Sequence, residues 1–100
     1  MEKYAHITKM EDIMVQQSKM LKGMNQLSDK IEAHRNEYRE LIAYYYSTQR
    51  EQDLEDDSNH LIPETLHRGV LSEDEIFNLM EGYRETAIRM LEIAVQMLKE

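Results

Sequence analysis

The sequence predicts an all-α protein, and two observations carry that prediction. Its 100 residues include only three glycines and one proline, so the turns that strands need roughly every 8 to 12 residues are missing. Apolar side chains recur instead with the period of a helix in both halves of the chain. We expect one helical domain over residues 1–100, arranged as an antiparallel helical hairpin or bundle. Its parts are a long N-terminal helix, an acidic loop over residues 54–71 and a C-terminal helix over residues 72–99.

A heptad pattern marks the first helix. The pattern has polar breaks at Ser28 and Arg35 but keeps its phase across them, which favours one long or gently bent helix over residues 3–50. Gly23 costs such a helix only about 1 kcal/mol relative to alanine. The alternative is a break near residues 23–28, with Ser28 as the cap of a second helix. The remaining positions of the pattern are Ile7, Met10, Met14, Gln17, Leu21, Met24, Ile31, Tyr38, Ile42 and Tyr45.

The C-terminal helix has a clear start and a wide apolar surface. Ser72 and Glu75 form the pattern of a capping box, and the acids at positions 73–75 lie where the helix dipole favours negative charge. A heptad seam and a second apolar stripe follow, which leave a narrow polar face. One partner helix cannot bury that much, so we expect a homodimer or a helical partner. The two stripes are Ile76, Phe77, Met80, Tyr83, Ala87, Ile88, Met90, Leu91, Ala94, Val95, Met97 and Leu98.

The net charge of −8 lies in the second half of the chain. Residues 1–50 carry a net charge of +1, and residues 51–100 carry −9. A surface of this sign repels nucleic-acid phosphates, so we expect no nucleic-acid partner. No apolar run approaches the ~20 residues of a membrane-spanning helix, and the N-terminus lacks the pattern of a signal peptide. We therefore expect no membrane association and a cytoplasmic location. The absence of cysteine excludes disulfides and thiol catalysis.

The segment that connects the two predicted helices carries a distinctive pattern. It consists of Tyr44-Tyr45-Tyr46-Ser47, then Asp53, Pro63 and Leu66, then Arg68-Gly69-Val70-Leu71-Ser72-Glu73-Asp74, followed by Leu79. This pattern resembles a bacterial family, the domain of unknown function 4298, over residues 38–91. The family pattern has glycine at the position of Tyr46 and an aromatic residue at that of Arg50. The resemblance implies a helical fold and a bacterial or phage source, and it implies no activity.

The acidic stretch matches part of an EF-hand calcium loop. Its candidate metal ligands are Asp53, Glu55, Asp57, His60 and Glu64. Against this match, Ser58 stands where the sharp turn of the loop requires glycine, and Pro63 stands where the exiting helix should already run. A second hypothesis is a transition-metal site made by His60 and His67 with Asp56 or Asp57. The favoured interpretation is a solvated acidic loop without a cofactor.

Tyrosines and one arginine near the loop form a candidate binding patch. The candidate partner-binding residues are Tyr44, Tyr45, Tyr46 and Arg68. Tyrosine is enriched at interfaces because it offers a rigid surface with a polar tip. The residues expected to hold the loop are Pro63, Gly69, Ser72 and Glu75. We expect Gly69 to adopt a positive φ before the helix, and Arg68 to reach the acids at 53–57 or the tyrosine hydroxyls.

These patterns favour a small acidic helical module that binds another protein. The alternative is an inhibitor, antitoxin or immunity-type protein whose acidic loop occupies a basic site on an enzyme. A weaker alternative is a cation-binding helical protein. No phosphate-binding loop or nucleophile motif occurs in the sequence, so we do not expect an enzyme.

Overall fold

A computed structural model describes residues 2–99 of the chain and confirms the all-α class. Four α-helices and two short 3₁₀ turns make up these residues, which contain no strand. In chain order, the α-helices are α1 (Ala5–Ala33), α2 (Arg35–Tyr45), α3 (Thr48–Ser58) and α4 (Glu75–Leu98). The 3₁₀ turns are Glu2–Tyr4 and Gly69–Leu71. None of the helices within residues 2–99 is long and apolar enough to cross a membrane.

The long N-terminal helix is present and ends earlier than the predicted residue 50. α1 runs without interruption through residues 23–28, so the alternative break at that place is wrong. Gly23 lies inside the helix, where an added Cβ would meet no other atom within 4 Å. Glycine at this position lowers the stability of α1 slightly relative to alanine, and the helix forms despite it.

The first interruption of the helical chain falls at His34, between α1 and α2. The residue keeps a φ of −101° and a ψ of 8°, and its side-chain Nδ1 lies 2.8 Å from Glu37 Oε2. Its amide donates to the Lys30 carbonyl at 3.1 Å, and its carbonyl accepts from the Tyr38 amide at 3.1 Å. The helical hydrogen-bond pattern therefore continues across the turn.

The second interruption separates α2 from α3 at Tyr46 and Ser47. Ser47 has extended backbone angles, with φ −86° and ψ 157°, and its Oγ accepts from the Arg50 amide at 3.1 Å. The same hydroxyl donates to the Tyr44 carbonyl at 2.6 Å. Ser47 thus ends one helix and begins the next, because an N-cap serine satisfies an amide that the first helical turn leaves free.

The predicted acidic loop over residues 54–71 begins too early, because residues 54–58 belong to α3. Two side-chain hydrogen bonds of i,i+4 spacing support this helix: Gln49 Nε2 donates to Asp53 at 2.9 Å, and Gln52 Nε2 donates to Asp56 at 3.0 Å. Such pairs lie on one face of a helix and stabilise it. The acids of this stretch are therefore held on a helix.

A Schellman motif ends α3. The His60 amide donates to the Asp57 carbonyl at 3.1 Å, and the Leu61 amide donates to the Asp56 carbonyl at 3.0 Å. This pair of bonds requires a left-handed residue after the cap, and His60 supplies it with a φ of 58°. Within residues 2–99 it is the only residue other than glycine with a positive φ.

The connection over residues 59–74 contains two tight turns. The Leu66 amide donates to the Pro63 carbonyl at 3.1 Å, which closes the first turn, and the 3₁₀ turn Gly69–Leu71 is the second. Ser72 Oγ then accepts from the Glu75 amide at 3.1 Å, as the capping pattern predicts. The C-terminal helix itself begins at Glu75 instead of residue 72.

By its internal contacts the chain divides into two compact units, which separate between Arg39 and Glu40. The first unit contains α1, whose side chains are exposed except at Ser28 and Ile31. In the second unit α3 and α4 both contact the 3₁₀ turn Gly69–Leu71, and Ile76 is buried. Half-buried apolar residues of the second unit are Leu41, Ile42, Tyr45, Leu54, Ile62, Leu71, Met80 and Tyr83. That the chain is a single domain stays a prediction.

Candidate functional site

Two surfaces were predicted to carry function: the segment around residues 44–75, which we call the loop end, and the apolar faces of the long helices. At the loop end, Tyr44 on α2 and Asp53 on α3 form a short polar contact between neighbouring helices. The Tyr44 hydroxyl donates to Asp53 Oδ2 at 2.6 Å. Burial, followed by this hydrogen bond, raises the pKa of Tyr44. The bonds from Tyr44 and then from Gln49 lower the pKa of Asp53. The tyrosine hydroxyl is therefore engaged inside the chain.

Arg50 on α3 holds the connection over residues 59–74 through hydrogen bonds. Its Nε donates to the Val70 carbonyl and its Nη2 to the Ser72 carbonyl, both at 3.1 Å. The guanidinium carbon lies 4.7 Å from the centre of the Tyr45 ring, a cation–π distance. Sequence reasoning missed this role. The acceptors are backbone carbonyls 20 and 22 residues away. Every residue has a backbone carbonyl, so the sequence pattern does not predict which ones Arg50 binds.

Arg68 fastens the connection at a second point. Its Nη1 contacts Asp57 Oδ1 at 2.5 Å, so the expected contact with the acids of positions 53–57 is formed. Both side chains are about one-third exposed, at 35% and 31%. An ion pair this accessible contributes at most about 1 kcal/mol, and its main effect is to fix the path of the chain.

Gly69 lacks the backbone conformation that the sequence predicts. The expected positive φ is wrong, because neither Gly69 nor any other glycine within residues 2–99 has one. The residue lies in the 3₁₀ turn, and a Cβ added there would collide with the carboxylate of Glu75. That carboxylate is the free end of an exposed, flexible side chain and can move aside, so the turn itself does not require glycine at this position.

The loop geometry that calcium binding requires is not formed. Asp53, Glu55 and Asp57 lie on α3, where Asp53 and Asp57 share one face and Glu55 points about 200° away from Asp53. Of these, Asp53 is bonded to Tyr44 and Asp57 to Arg68. Within residues 2–99, no group of three acidic or histidine side chains could hold a metal ion, including those with His60, Glu64 or His67.

Of the predicted binding tyrosines, Tyr46 is the most accessible. It is 71% exposed, while Tyr44 and Tyr45 are half-buried. The rings of Tyr45 and Tyr46 meet edge to face, with centres 4.9 Å apart. The backbone break at Ser47 accounts for this exposure, because Tyr46 stands between two helices.

The apolar faces of the helices are open. On α1, nine large apolar side chains are between 41% and 58% exposed. They are Ile7, Met10, Ile13, Met14, Val15, Met20, Leu21, Met24 and Leu27. On the last half of α4, seven more are between 39% and 85% exposed. They are Ile88, Met90, Leu91, Ile93, Val95, Met97 and Leu98.

A family model described as a domain of unknown function, DUF4298, matches residues 7–93. The chain belongs to the DUF4298 family. The match extends from the start of the apolar face of α1 to Ile93 on α4, so the two open faces of this DUF4298 chain lie largely within it. No curated protein and no solved structure matches the chain. A function for this DUF4298 chain therefore has to be inferred from its own surfaces and contacts.

Proposed function

We propose that this DUF4298 chain is a helical protein–protein interaction module that binds its partner through the apolar faces of α1 and α4. The observation that carries the proposal is the exposure of nine large apolar side chains along α1. A side chain of this kind that is half exposed presents on the order of 100 Å², and contiguous exposed patches of more than a few hundred Å² mark interaction sites.

The end of α4 supports the same proposal. Its polar residues Glu85, Arg89, Glu92 and Gln96 follow one stripe, and apolar side chains occupy most of the remaining circumference. A helix that is apolar over most of its circumference is stable in water only when other helices cover it. An interaction module supplies that cover when its partner binds.

The loop end has a structural role in this proposal. The Tyr44 hydroxyl donates to Asp53 and the Arg68 guanidinium pairs with Asp57, so in this proposal both side chains serve to hold the loop end together. Tyr46 is exposed and remains a candidate contact. The protein works by contact alone and is not an enzyme, and its proposed setting is the cytoplasm of a bacterium or of a phage-infected cell.

Photo-crosslinking in living cells tests the proposal. A benzoylphenylalanine residue is placed at Met14 on the apolar face of α1 or, as the matched control, at Gln16 on its polar side. We expect covalent adducts with protein from position 14 and few from position 16. The same comparison on α4 uses Leu91 against Gln96. Equal adducts from both faces, or none from the apolar positions, would exclude the module.

A second candidate function is the acidic inhibitor that occupies a basic site on another protein. Its supporting observation is that residues 51–75 carry nine carboxylates against one arginine. Six of these carboxylates are exposed: Glu51, Glu55, Glu64, Glu73, Asp74 and Glu75. Salt separates the two functions, because a charge-driven complex weakens strongly at several hundred millimolar salt and an apolar complex does not. Changing Glu51 and Glu55 to glutamine together would abolish binding only for the inhibitor.

A further inference from the structure

We infer that the partner of the α1 face is a second copy of this chain, with the two α1 helices paired antiparallel about a two-fold axis between Val15 and Gln16. The inference rests on the proposed function, since it names the occupant of the same apolar face. Three observations carry it: the area of the face, the spacing of its residues and its charge.

The area suffices for a stable dimer. Eight of the nine exposed apolar side chains share one face of α1, because Val15 lies outside it on the helical wheel. Each of the eight is about half exposed, and together they offer roughly 800 Å² on each protomer. A specific interface of ordinary size buries about 800 Å² on each side. Ser28 and Ile31 mark the point where side-chain exposure along α1 first falls, so the open face ends there, at about six turns of helix.

The spacing of the face is self-complementary. The seam positions Ile7, Met10 and Met14 mirror Met24, Leu21 and Gln17 about the point between residues 15 and 16. In an antiparallel pair, position a of one helix faces position d of the other. This symmetry therefore gives three facing pairs, each present twice: Ile7 with Met24, Met10 with Leu21, and Met14 with Gln17.

The flanks of the same pair are compatible with close contact. On one flank, Ile13 lies beside Met20 of the second copy, which widens the apolar contact. On the other flank, Glu11 lies beside Ser18, so no like charges oppose each other. Antiparallel helices also bring opposite dipole ends together.

The face is electrically neutral, which suits a copy of itself. α1 carries four lysines and four acidic residues, while the net charge of residues 51–75 equals the −8 of the whole chain. A face that was built for an acidic or a basic partner would carry the opposite sign. Two neutral faces meet without the repulsion that a chain of this charge would otherwise experience.

Sedimentation of the purified chain tests the second copy. We expect a dimer at concentrations above about 10 µM, which is the weak end of the affinity range for an interface of this size. The double variant Met14→Glu/Leu21→Glu should weaken the dimer on the order of 100-fold, because each chain then brings two unpaired charges into the interface. The matched control Gln16→Glu/Gln26→Glu adds the same charge on the polar side and should leave the dimer intact. Circular dichroism checks that each variant keeps its helices.

Cysteine cross-linking tests the direction of pairing, because the chain has no cysteine of its own. The variants Met10→Cys and Leu21→Cys are mixed and treated with a short bismaleimide. We expect the cross-linked product to contain one chain of each variant. Cross-links only between identical variants would overturn the antiparallel arrangement.

A folded wild-type monomer at about 100 µM would overturn the second copy altogether. That result would leave the proposed function standing if position 14 still forms face-specific adducts with a different protein in cells. Loss of those adducts in cells would exclude the proposed function as well, so the two failures are distinguishable.

Discussion

Asp53 and Asp57 lie one turn apart on α3, and each binds a residue from a different part of the chain. Tyr44, from the helix before, donates to the first, and Arg68, from the connection after, pairs with the second. Arg50 on the same helix reaches the carbonyls of Val70 and Ser72. One helix of 11 residues thus organises the loop end through side-chain contacts, although Ile76 is the only buried residue within 2–99.

Replacing Tyr44 with phenylalanine should make the stability of the chain less dependent on acid. The hydrogen bond from Tyr44 lowers the pKa of Asp53, and a lowered carboxyl pKa stabilises the fold above the unfolded pKa and loses that effect as pH falls through the folded value. We expect the melting temperature of the wild type to exceed that of Tyr44→Phe near neutral pH. The difference should shrink below about pH 4.

Carbon NMR of the carboxylates should show the pKa of Asp53 rising in the same variant. The matched control is Tyr46→Phe, which removes a hydroxyl of the same kind from a side chain that is 71% exposed. It should change neither the Asp53 titration nor the melting temperature. A Tyr44→Phe protein whose acid unfolding matches that of the wild type would contradict the assigned contact.

His60→Gly should raise the stability of the second unit by about 0.5 kcal/mol. Histidine in the left-handed region costs about 1 kcal/mol or more, and glycine removes that cost at the expense of its greater freedom in the unfolded chain. The matched control is Asn59→Gly, where φ is −89°; this change adds only the unfolded-state cost and should be destabilising. Urea unfolding measures both. A loss of stability in His60→Gly would show that its side chain makes a contact of its own.

At the scale of helices, Ser47 decides that α2 and α3 are separate. Ser47→Ala should destabilise the second unit by about 1 kcal/mol, since it removes the acceptor for the first turn of α3. Thr48→Ala at the neighbouring position is the control and should change stability little. Hydrogen exchange offers a local readout: the Arg50 amide should lose protection in Ser47→Ala and keep it in Thr48→Ala. Unchanged protection in Ser47→Ala would contradict the cap.

The elements that could be predicted from sequence are those with local signals. The all-α class follows from apolar periodicity, and the hydrogen bond from the Glu75 amide to Ser72 Oγ follows from a short motif. No proline or glycine lies near the break at His34, so the sequence does not predict this break. The acidic composition of residues 54–58 predicts a loop, whereas glutamines four residues before Asp53 and Asp56 support a helix there. The role of Arg50 depends on distant backbone carbonyls, so three-dimensional structure was needed to find it.

At the scale of the whole molecule, charge and apolar surface occupy different parts of the chain. The face of α1 is neutral, and residues 51–75 carry a net charge of −8. Salt should therefore leave the self-association of the chain unchanged or slightly strengthen it. The measurement is the dimer dissociation constant by sedimentation between about 50 mM and about 500 mM sodium chloride. A constant that rises tenfold or more over this range would indicate that opposite charges hold the copies together.

The methionines of α1 make its open apolar face sensitive to oxidation. Met10, Met14, Met20 and Met24 are each about half exposed, and peroxide converts an accessible thioether into a polar sulfoxide. Such a change would remove apolar character from the middle of the face without altering any charge. Pairing with a second copy would shield the same sulfur atoms. The rate at which these methionines oxidise therefore becomes a measure of how much of the chain is unpaired.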